Sequence, residues 1–208
     1  MIKIVLVTLA ACVTASHAEI EHFTNPAPGQ PGHYNWRFDW WTLEPSWLDI
    51  TRAPSDQPNV PGGASVGQLF VGEGDADYNM HGGGAELLAV PAWGGWSFTQ
   101  CLTAGEPVAP MFPHGWFDTA AHAVASFGGP HSSLFPSGAP GYMGVRTRAG
   151  QLGWIKVEFE LDDLNFRALE WAYQTEPGVA ISAGQVPAPG TLALFGLAGW
   201  MTVRRRQR

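Results

Sequence analysis

The sequence predicts an all-β protein, an antiparallel β-sandwich or jelly roll, from three observations. Residues 154–161 alternate apolar and charged side chains, which is the period of a half-buried strand. A turn-forming segment, 162–165, leads to a second alternating segment, 168–173, so the two strands are expected to form an antiparallel hairpin. Elsewhere, short strand-like segments are separated by Gly and Pro clusters, and this punctuation is typical of sandwiches and jelly rolls.

The same alternation assigns faces within the hairpin. One face of the first strand carries the apolar residues Ile155, Val157, Phe159 and Leu161, and the other carries Lys156, Glu158 and Glu160. In the second strand the predicted buried face consists of Leu169, Trp171 and Tyr173, opposite Ala168, Glu170 and Ala172. Because successive side chains of a strand point to opposite sides of the sheet, each set belongs to one side.

Four further short strands are predicted between the Gly and Pro clusters: Gln68–Gly72, Glu86–Val90, Trp96–Leu102 and Tyr142–Thr147. Only Thr119–Ser126 shows a mildly helical pattern, and that segment is short. The sequence therefore predicts strands and turns almost throughout one domain, residues 19–184.

The N-terminal segment, residues 1–18, has the layout of a secretory signal peptide. A single charge at Lys3 precedes an apolar run, and Ser16-His17-Ala18 supplies a small-x-small cleavage site, so the mature chain is expected to begin at Glu19. The alternative is a lipoprotein, because Leu9-Ala10-Ala11-Cys12 resembles a lipobox with Cys12 as the acylated residue. Both interpretations predict export.

The domain between the terminal signals is acidic. It contains six Lys and Arg residues and eighteen Asp and Glu residues, which gives a formal net charge of −12. This charge argues against nucleic acid and anionic membranes as partners and is compatible with divalent cations. Cys101 is the only cysteine outside the predicted signal peptide, so no disulfide within the domain is expected, and its thiol is predicted to be buried.

The C-terminal segment, residues 185–208, has three parts in a fixed order. The first is a proline motif, Val186-Pro187-Ala188-Pro189, and the second is an apolar stretch, 191–203, that predicts a short transmembrane helix. The third is a cluster of arginines at the very end: Arg204, Arg205, Arg206 and Arg208. By the positive-inside rule these arginines flank the membrane on the cytoplasmic side and leave the domain outside.

With these parts, the tail resembles that of PEP-CTERM proteins, which are substrates of exosortase in bacterial inner membranes. The resemblance implies retention in the inner membrane by the tail, processing near the proline motif, and delivery to the cell envelope or extracellular matrix. Ala188 stands where the family usually has Glu. Segments within 141–181 also resemble a β-sandwich module common before such tails, for which the family names no catalytic residue.

One polar segment has the spacing of a calcium loop. Asp75, Asp77 and Asn79 occupy positions 1, 3 and 5, and Glu86 occupies position 12, which are positions that supply oxygen ligands to Ca²⁺. Met80 stands where such a loop needs Gly, and no flanking helices are predicted. A polar surface loop explains the same residues. No other cofactor is predicted.

Tryptophans in Gly-rich loops suggest a second ligand class. Trp93, Trp96 and Trp116 could present flat rings to sugar faces, which would make the domain a lectin-like module for extracellular polysaccharide. Core packing accounts for tryptophans equally well. A hydrolase would need converging His and carboxylate side chains, and the sequence shows no such constellation. The primary prediction is therefore a non-enzymatic envelope or matrix protein with a structural or interaction role, and glycan binding is the alternative.

Overall fold

The computed structural model describes residues 18–36, 46–57, 68–73, 78–82, 85–91, 97–111, 113–117, 121–122, 134–136, 138–160 and 165–187. These residues form eleven strands of one sheet: β1 Ile20–Thr24, β2 Ser46–Asp49, β3 Gln68–Glu73, β4 Tyr78–Gly82, β5 Ala85–Pro91, β6 Ser97–Thr99, β7 Gly115–Phe117, β8 Ala121–His122, β9 Pro140–Thr147, β10 Leu152–Glu160 and β11 Asn165–Gln174. A 3₁₀ turn, Pro54–Asp56, is the only helical element among them. The all-β prediction is confirmed.

The strand order across the sheet is β1-β11-β10-β9-β5-β6-β8-β4-β3-β2, with β7 pairing separately with β5. Within the described chain every pairing is antiparallel except that of β6 with β8, which rests on one residue pair, Phe98 and His122. Each of the predicted strands is found. The segment Trp96–Leu102 is shorter than expected, because the strand itself covers Ser97–Thr99 and Leu102 forms an isolated bridge to Tyr142.

The predicted hairpin forms from β10 and β11, and it is covered on both faces. Ile155, Val157 and Trp171 are fully buried on one face, hereafter the inner face. Trp154 and Ala172 are equally buried on the opposite, outer face. The predicted alternation is found from Ile155 to Glu158, since Lys156 and Glu158 remain partly exposed. It is wrong at Trp154, because other chain segments cover that end of the outer face.

A β-bulge corrects one face assignment in β11. The register shifts between Lys156 and Val157, so that Lys156 lies opposite Glu170 and Val157 lies opposite Ala168, leaving Leu169 as the extra residue. Ala168 is consequently buried with the inner cluster, while Leu169 is only partly buried. Strict alternation placed Leu169 on the inner face and Ala168 opposite, and the inserted residue reverses that order.

A second correction concerns the segment predicted as mildly helical. Ala121 and His122 within Thr119–Ser126 form strand β8, which pairs with β4 and β6. The rest of that segment lies outside the described residues. Sheet pairing with two neighbours satisfies backbone groups that a short helix would have left unpaired at its ends, so tertiary context overrides the weak local pattern.

The inner face holds the larger hydrophobic cluster. Leu48 lies in β2 and Ile50 follows that strand. Both pack in one cluster with Ile155 and Trp171 of the hairpin, which is near the other end of the strand order. The Trp171 indole Nε1–H donates to the carbonyl oxygen of Arg52 at 3.0 Å, which ties these two regions together. The sheet therefore curls until its two ends share one core.

The outer face is covered by two loop segments that pair with each other. Val108 N–H donates to Ile181 O at 2.9 Å, and Ala183 N–H donates to Glu106 O at 2.8 Å. Leu102, Val108, Ile181 and Ala183 pack there against Trp154 and Ala172. No helix among the described residues is long and apolar enough to cross a membrane.

Candidate functional site: a groove beside Trp116 and Arg146

The sheet register brings four outer-face side chains together beside one groove. In β9 and β10, Arg146 lies opposite Leu152, and in β9 and β5 it lies opposite Glu86. Two residues further along β5, Leu88 lies opposite Trp116 of β7. Since alternate residues of a strand share a face, Glu86, Arg146, Leu152 and Trp116 all belong to the outer side.

The Arg146 guanidinium is held by two partners. Its Nε–H donates to Glu86 Oε2, and this hydrogen bond is also an ion pair. Its Cζ lies 5.0 Å from the centroid of the Trp116 ring, which is within the range of a cation–π contact. About a third of each charged side chain remains exposed, 35% for Arg146 and 31% for Glu86, so both reach solvent. The pair therefore presents hydrogen-bonding atoms that are fixed in place.

The groove next to this pair has a volume of about 440 Å³. That volume falls within the range of small-molecule sites. Its other walls are mainly apolar and come from the loop at Val108–Pro110, from Leu152 and from the turn at Pro177. Backbone hydrogen bonds fix that turn, since Gly178 N–H donates to Gly150 O at 2.9 Å. The arrangement combines apolar walls, one aromatic ring and one guanidinium, which suits a ligand with both apolar and hydroxyl-bearing surfaces.

A second group of charged side chains lies on the outer face, near the β1 edge of the sheet. Glu170 accepts from Lys156 Nζ at 2.7 Å and pairs with His22 Nε2 at 3.0 Å. The ring of Tyr142 lies 5.7 Å below the Lys156 Nζ. Burial acts to raise the pKa of Glu170, but the hydrogen bonds from Lys156 and His22 outweigh it and lower that pKa. These groups satisfy one another and support the sheet.

A smaller groove of about 370 Å³ lies between β11 and the proline-rich loop that follows β1. The Asn25 side chain closes this loop, donating to Tyr34 O and Ala168 O and accepting from Tyr34 N–H. His33 Nδ1 lies 2.6 Å from Pro26 O, and because a carbonyl oxygen only accepts, Nδ1 carries the hydrogen. Among the described residues that line this groove there is no Phe, Tyr or Trp, and its Arg167 is paired with Glu158.

The structure describes two of the four residues predicted as calcium ligands, Asn79 and Glu86. Asp75 and Asp77 lie outside the described residues, and Asn79 lies in β4 opposite Gly72. Glu86 lies in β5, where Arg146 occupies its carboxylate. A calcium role for Glu86 would therefore require the carboxylate to leave Arg146. Within the described parts of the chain, no three His, Cys, Asp or Glu side chains are grouped to hold a metal ion.

The tryptophans separate into core and groove residues. Trp36, Trp154 and Trp171 are buried almost completely, and the indole N–H of Trp154 donates to Gln185 O at 3.1 Å. Trp116 is only partly buried and lines the groove. Of the other two candidates for sugar contact, Trp93 and Trp96, neither lies within the described residues. Trp116 is thus the glycan candidate that the structure places beside a groove.

Both predicted sorting signals lie largely outside the described residues. At the N-terminal side, Ala18 and Glu19 are described, and Thr175 N–H donates to Glu19 O at 2.9 Å beside β1. In the proline motif, Val186 and Pro187 are described and exposed, whereas Ala188, Pro189 and the terminal arginines, Arg204, Arg205, Arg206 and Arg208, are not described. The chain remains bonded to the domain up to Gln185 through Trp154.

Sequence reasoning missed the partner of Trp116. Arg146 lies in the predicted strand Tyr142–Thr147, where its charge next to the apolar Val145 marks it as pointing away from the core. The sequence carries no signal that β9 pairs with β5, and this long-range pairing alone brings Arg146 to Glu86.

Cys101 is half-buried rather than fully buried, and burial raises the pKa of its thiol.

The strand pairing and the groove together define a mostly antiparallel all-β protein with a ligand-sized groove on its outer face. Comparison with protein-family models, with curated proteins and with solved structures gives no match. Inference about function therefore rests on the residues themselves.

Proposed function

We propose that this chain is an exported cell-envelope or extracellular-matrix protein whose β domain binds saccharide and has no enzymatic activity. The single observation that carries the binding role is the meeting of Trp116, Arg146 and Glu86 beside one groove. Sugar rings have apolar C–H faces and polar hydroxyl edges, so they need apolar walls and hydrogen-bonding groups together. The groove supplies both kinds of contact.

For the architecture we propose a β-sandwich of jelly-roll type. The shared inner cluster supports it, because Leu48 and Ile50 from one end of the strand order pack with Ile155 and Trp171 near the other. A sandwich keeps two sheet portions about 10 Å apart across such a core. On this scaffold the polar and aromatic side chains of the outer-face groove, Arg146 and Trp116, lie on strands β9 and β7 of the sheet, while loops supply most of the apolar walls. Sites on regular strands are positioned more rigidly than sites on loops.

The proposed export and sorting rest on the patterns at the two ends of the sequence. The apolar start with a small-x-small site supports export, with Cys12 lipidation as the alternative form of the same route. The proline motif, apolar stretch and arginine cluster support inner-membrane retention and sorting by an exosortase-type enzyme. Cell fractionation and measurement of the protein's mass, in strains with and without that enzyme, test this sorting. Unchanged mass and unchanged membrane retention in both strains would contradict it.

The binding role is tested by isothermal titration of the purified full-length chain, in mild detergent, with soluble polysaccharides. Trp116→Ala is expected to weaken saccharide binding about tenfold or more, because stacking on an aromatic side chain supplies a large share of such contacts. Trp116→Phe keeps an aromatic face and is expected to retain part of the affinity. Because Trp116 packs partly against the outer cluster, Trp116→Phe also helps to separate a loss of binding from a loss of folding.

Leu134→Ala serves as the matched control. Leu134 is an exposed apolar side chain, 47% accessible, that does not line the groove. Its replacement is expected to leave binding unchanged. Equal losses in Trp116→Ala and Leu134→Ala would contradict a saccharide site in this groove, and so would unchanged binding in Trp116→Ala.

A further inference from the structure

The charge state of the groove narrows the kind of saccharide it can accept. The guanidinium of Arg146 is the only charged group that lines the groove among the described residues, and its Nε–H already donates to the carboxylate of Glu86. The two formal charges cancel within one side-chain pair. The groove therefore offers hydrogen-bonding atoms without a net attraction for anions.

The surroundings add to this effect. The domain between the predicted terminal signals carries a formal net charge of −12. A field of that sign repels polyanions approaching from solution, over about 10 Å at 0.1 M salt. Because Glu86 already neutralises the charge of Arg146, that guanidinium cannot offset the repulsion of an anionic polymer. Uncharged ligands are unaffected by it.

The guanidinium of Arg146 also has the right hydrogen-bonding character for hydroxyl groups. It lines the groove and has Nη donors beyond the Nε–H that Glu86 uses, whereas Glu86 is not among the described lining residues and acts through Arg146. Hydroxyl oxygens of a sugar ring accept hydrogen bonds, so they can bond these Nη donors. The apolar walls at Val108, Pro110 and Leu152 then meet the C–H face of the ring.

We infer that the Trp116 groove selects neutral saccharides, and rejects polyuronates and other acidic glycans, because the Glu86–Arg146 pair and the acidic domain remove any net attraction for anions. This inference rests on the proposed saccharide function. It goes further by naming the chemical class of the ligand.

The test compares neutral and acidic polymers of matched length on the purified full-length chain. A soluble neutral glucan and a polyuronate are titrated at low salt and at about 0.3 M salt. The neutral polymer is expected to bind with an affinity that salt changes little. The polyuronate is expected to bind at least about tenfold more weakly at low salt and to gain affinity as salt screens the repulsion. Tighter polyuronate binding that weakens with salt would overturn the selectivity and leave the saccharide function standing. Binding to neither polymer would overturn the function and the selectivity with it.

Two variants separate the local pair from the overall charge. Glu86→Gln frees the guanidinium of Arg146 and is expected to raise polyuronate affinity about threefold to tenfold. Glu158→Gln is the matched control, since it removes the same charge from an ion pair with Arg167, which does not line this groove. Equal gains in both variants would assign the effect to net charge and overturn the role of the Glu86–Arg146 pair. No gain in either would overturn it too.

Discussion

Gly153 lies where the inner face leaves no room for a side chain, and Gly153→Ala is therefore expected to destabilise the fold. A Cβ atom added at Gly153 would lie 2.6 Å from the carbonyl oxygen of Ala172 and 2.8 Å from Ile50 Cδ1. The first contact is with the backbone of the neighbouring strand, which cannot turn aside as a flexible side chain can. The β10–β11 pair would have to separate locally at Gly153 and Tyr173, near the open end of the hairpin.

The magnitude follows from two opposing terms. Overpacking of a well-packed core costs about 1–3 kcal/mol. Replacing Gly by Ala returns about 0.4–1 kcal/mol, because the unfolded chain loses conformational freedom. Because the closest contact at Gly153 is with backbone, the overpacking cost is expected in the upper half of that range, about 2–3 kcal/mol. The net expectation is then a loss of about 1–2.5 kcal/mol, which for a domain of this size lowers the melting temperature by roughly 2–10 °C.

Thermal unfolding of the purified full-length chain, followed by tryptophan fluorescence, measures this loss. Gly115→Ala is the matched control, since Gly115 also lies in a strand and its added Cβ would meet only the Phe117 ring, at an ordinary 3.4 Å. That variant is expected to stay within about 0.5 kcal/mol of the wild type. A melting temperature for Gly153→Ala equal to that of Gly115→Ala would refute the close packing of β10 against β11 and Ile50.

Three further predictions concern buried and charged groups. Asn25→Ala is expected to lower the free energy of unfolding in urea by about 2–3 kcal/mol, because Asn25 makes three hydrogen bonds to backbone groups that would lose their partner. A loss below about 0.5 kcal/mol would contradict the role of Asn25 in closing the loop. The pKa of Glu170 is lowered in the folded state, so the stability that its charge contributes is present above the ordinary carboxyl pKa of about 4.3 and is lost as pH falls through the lower folded value. Glu170→Gln is therefore expected to flatten the acid side of the curve of unfolding free energy against pH. An unchanged curve would argue against the pairing with Lys156. In a Cys12→Ala background, the raised pKa of Cys101 predicts slow reaction with a disulfide reagent at pH 8 and a marked acceleration in urea, and equal rates would show that the thiol is not shielded by the fold.

The strands of this protein could be predicted from local pattern wherever one face is consistently apolar. The segments containing Ile155 and Val157 followed that rule, as did Glu86–Val90 within β5. The pattern failed at Leu169, because one inserted residue in β11 reverses every face assignment on one side of the bulge. It also failed at Ala121, where pairing with β4 decided the structure.

The candidate site was only half accessible to sequence reasoning. Trp116 stood out as an aromatic residue in a Gly-rich segment, and Glu86 stood out for its spacing from Asp75. Their common partner, Arg146, is sixty positions away from Glu86 in the chain. The pairing of β9 with β5 brings Arg146 to Glu86, and the pairing of β7 with β5 adds Trp116. Such long-range pairing is set by the packing of the whole sheet.

The saccharide groove is the central claim, and nuclear magnetic resonance of the ¹⁵N-labelled full-length chain tests it most directly. During titration with a neutral glucan, the indole N–H signal of Trp116 and the Nε–H signal of Arg146 are expected to shift together and to saturate. The indole signals of Trp154 and Trp171 are expected to stay in place, because both rings are buried and bonded to backbone carbonyls. Saturable shifts at other residues with Trp116 and Arg146 unmoved would contradict the account.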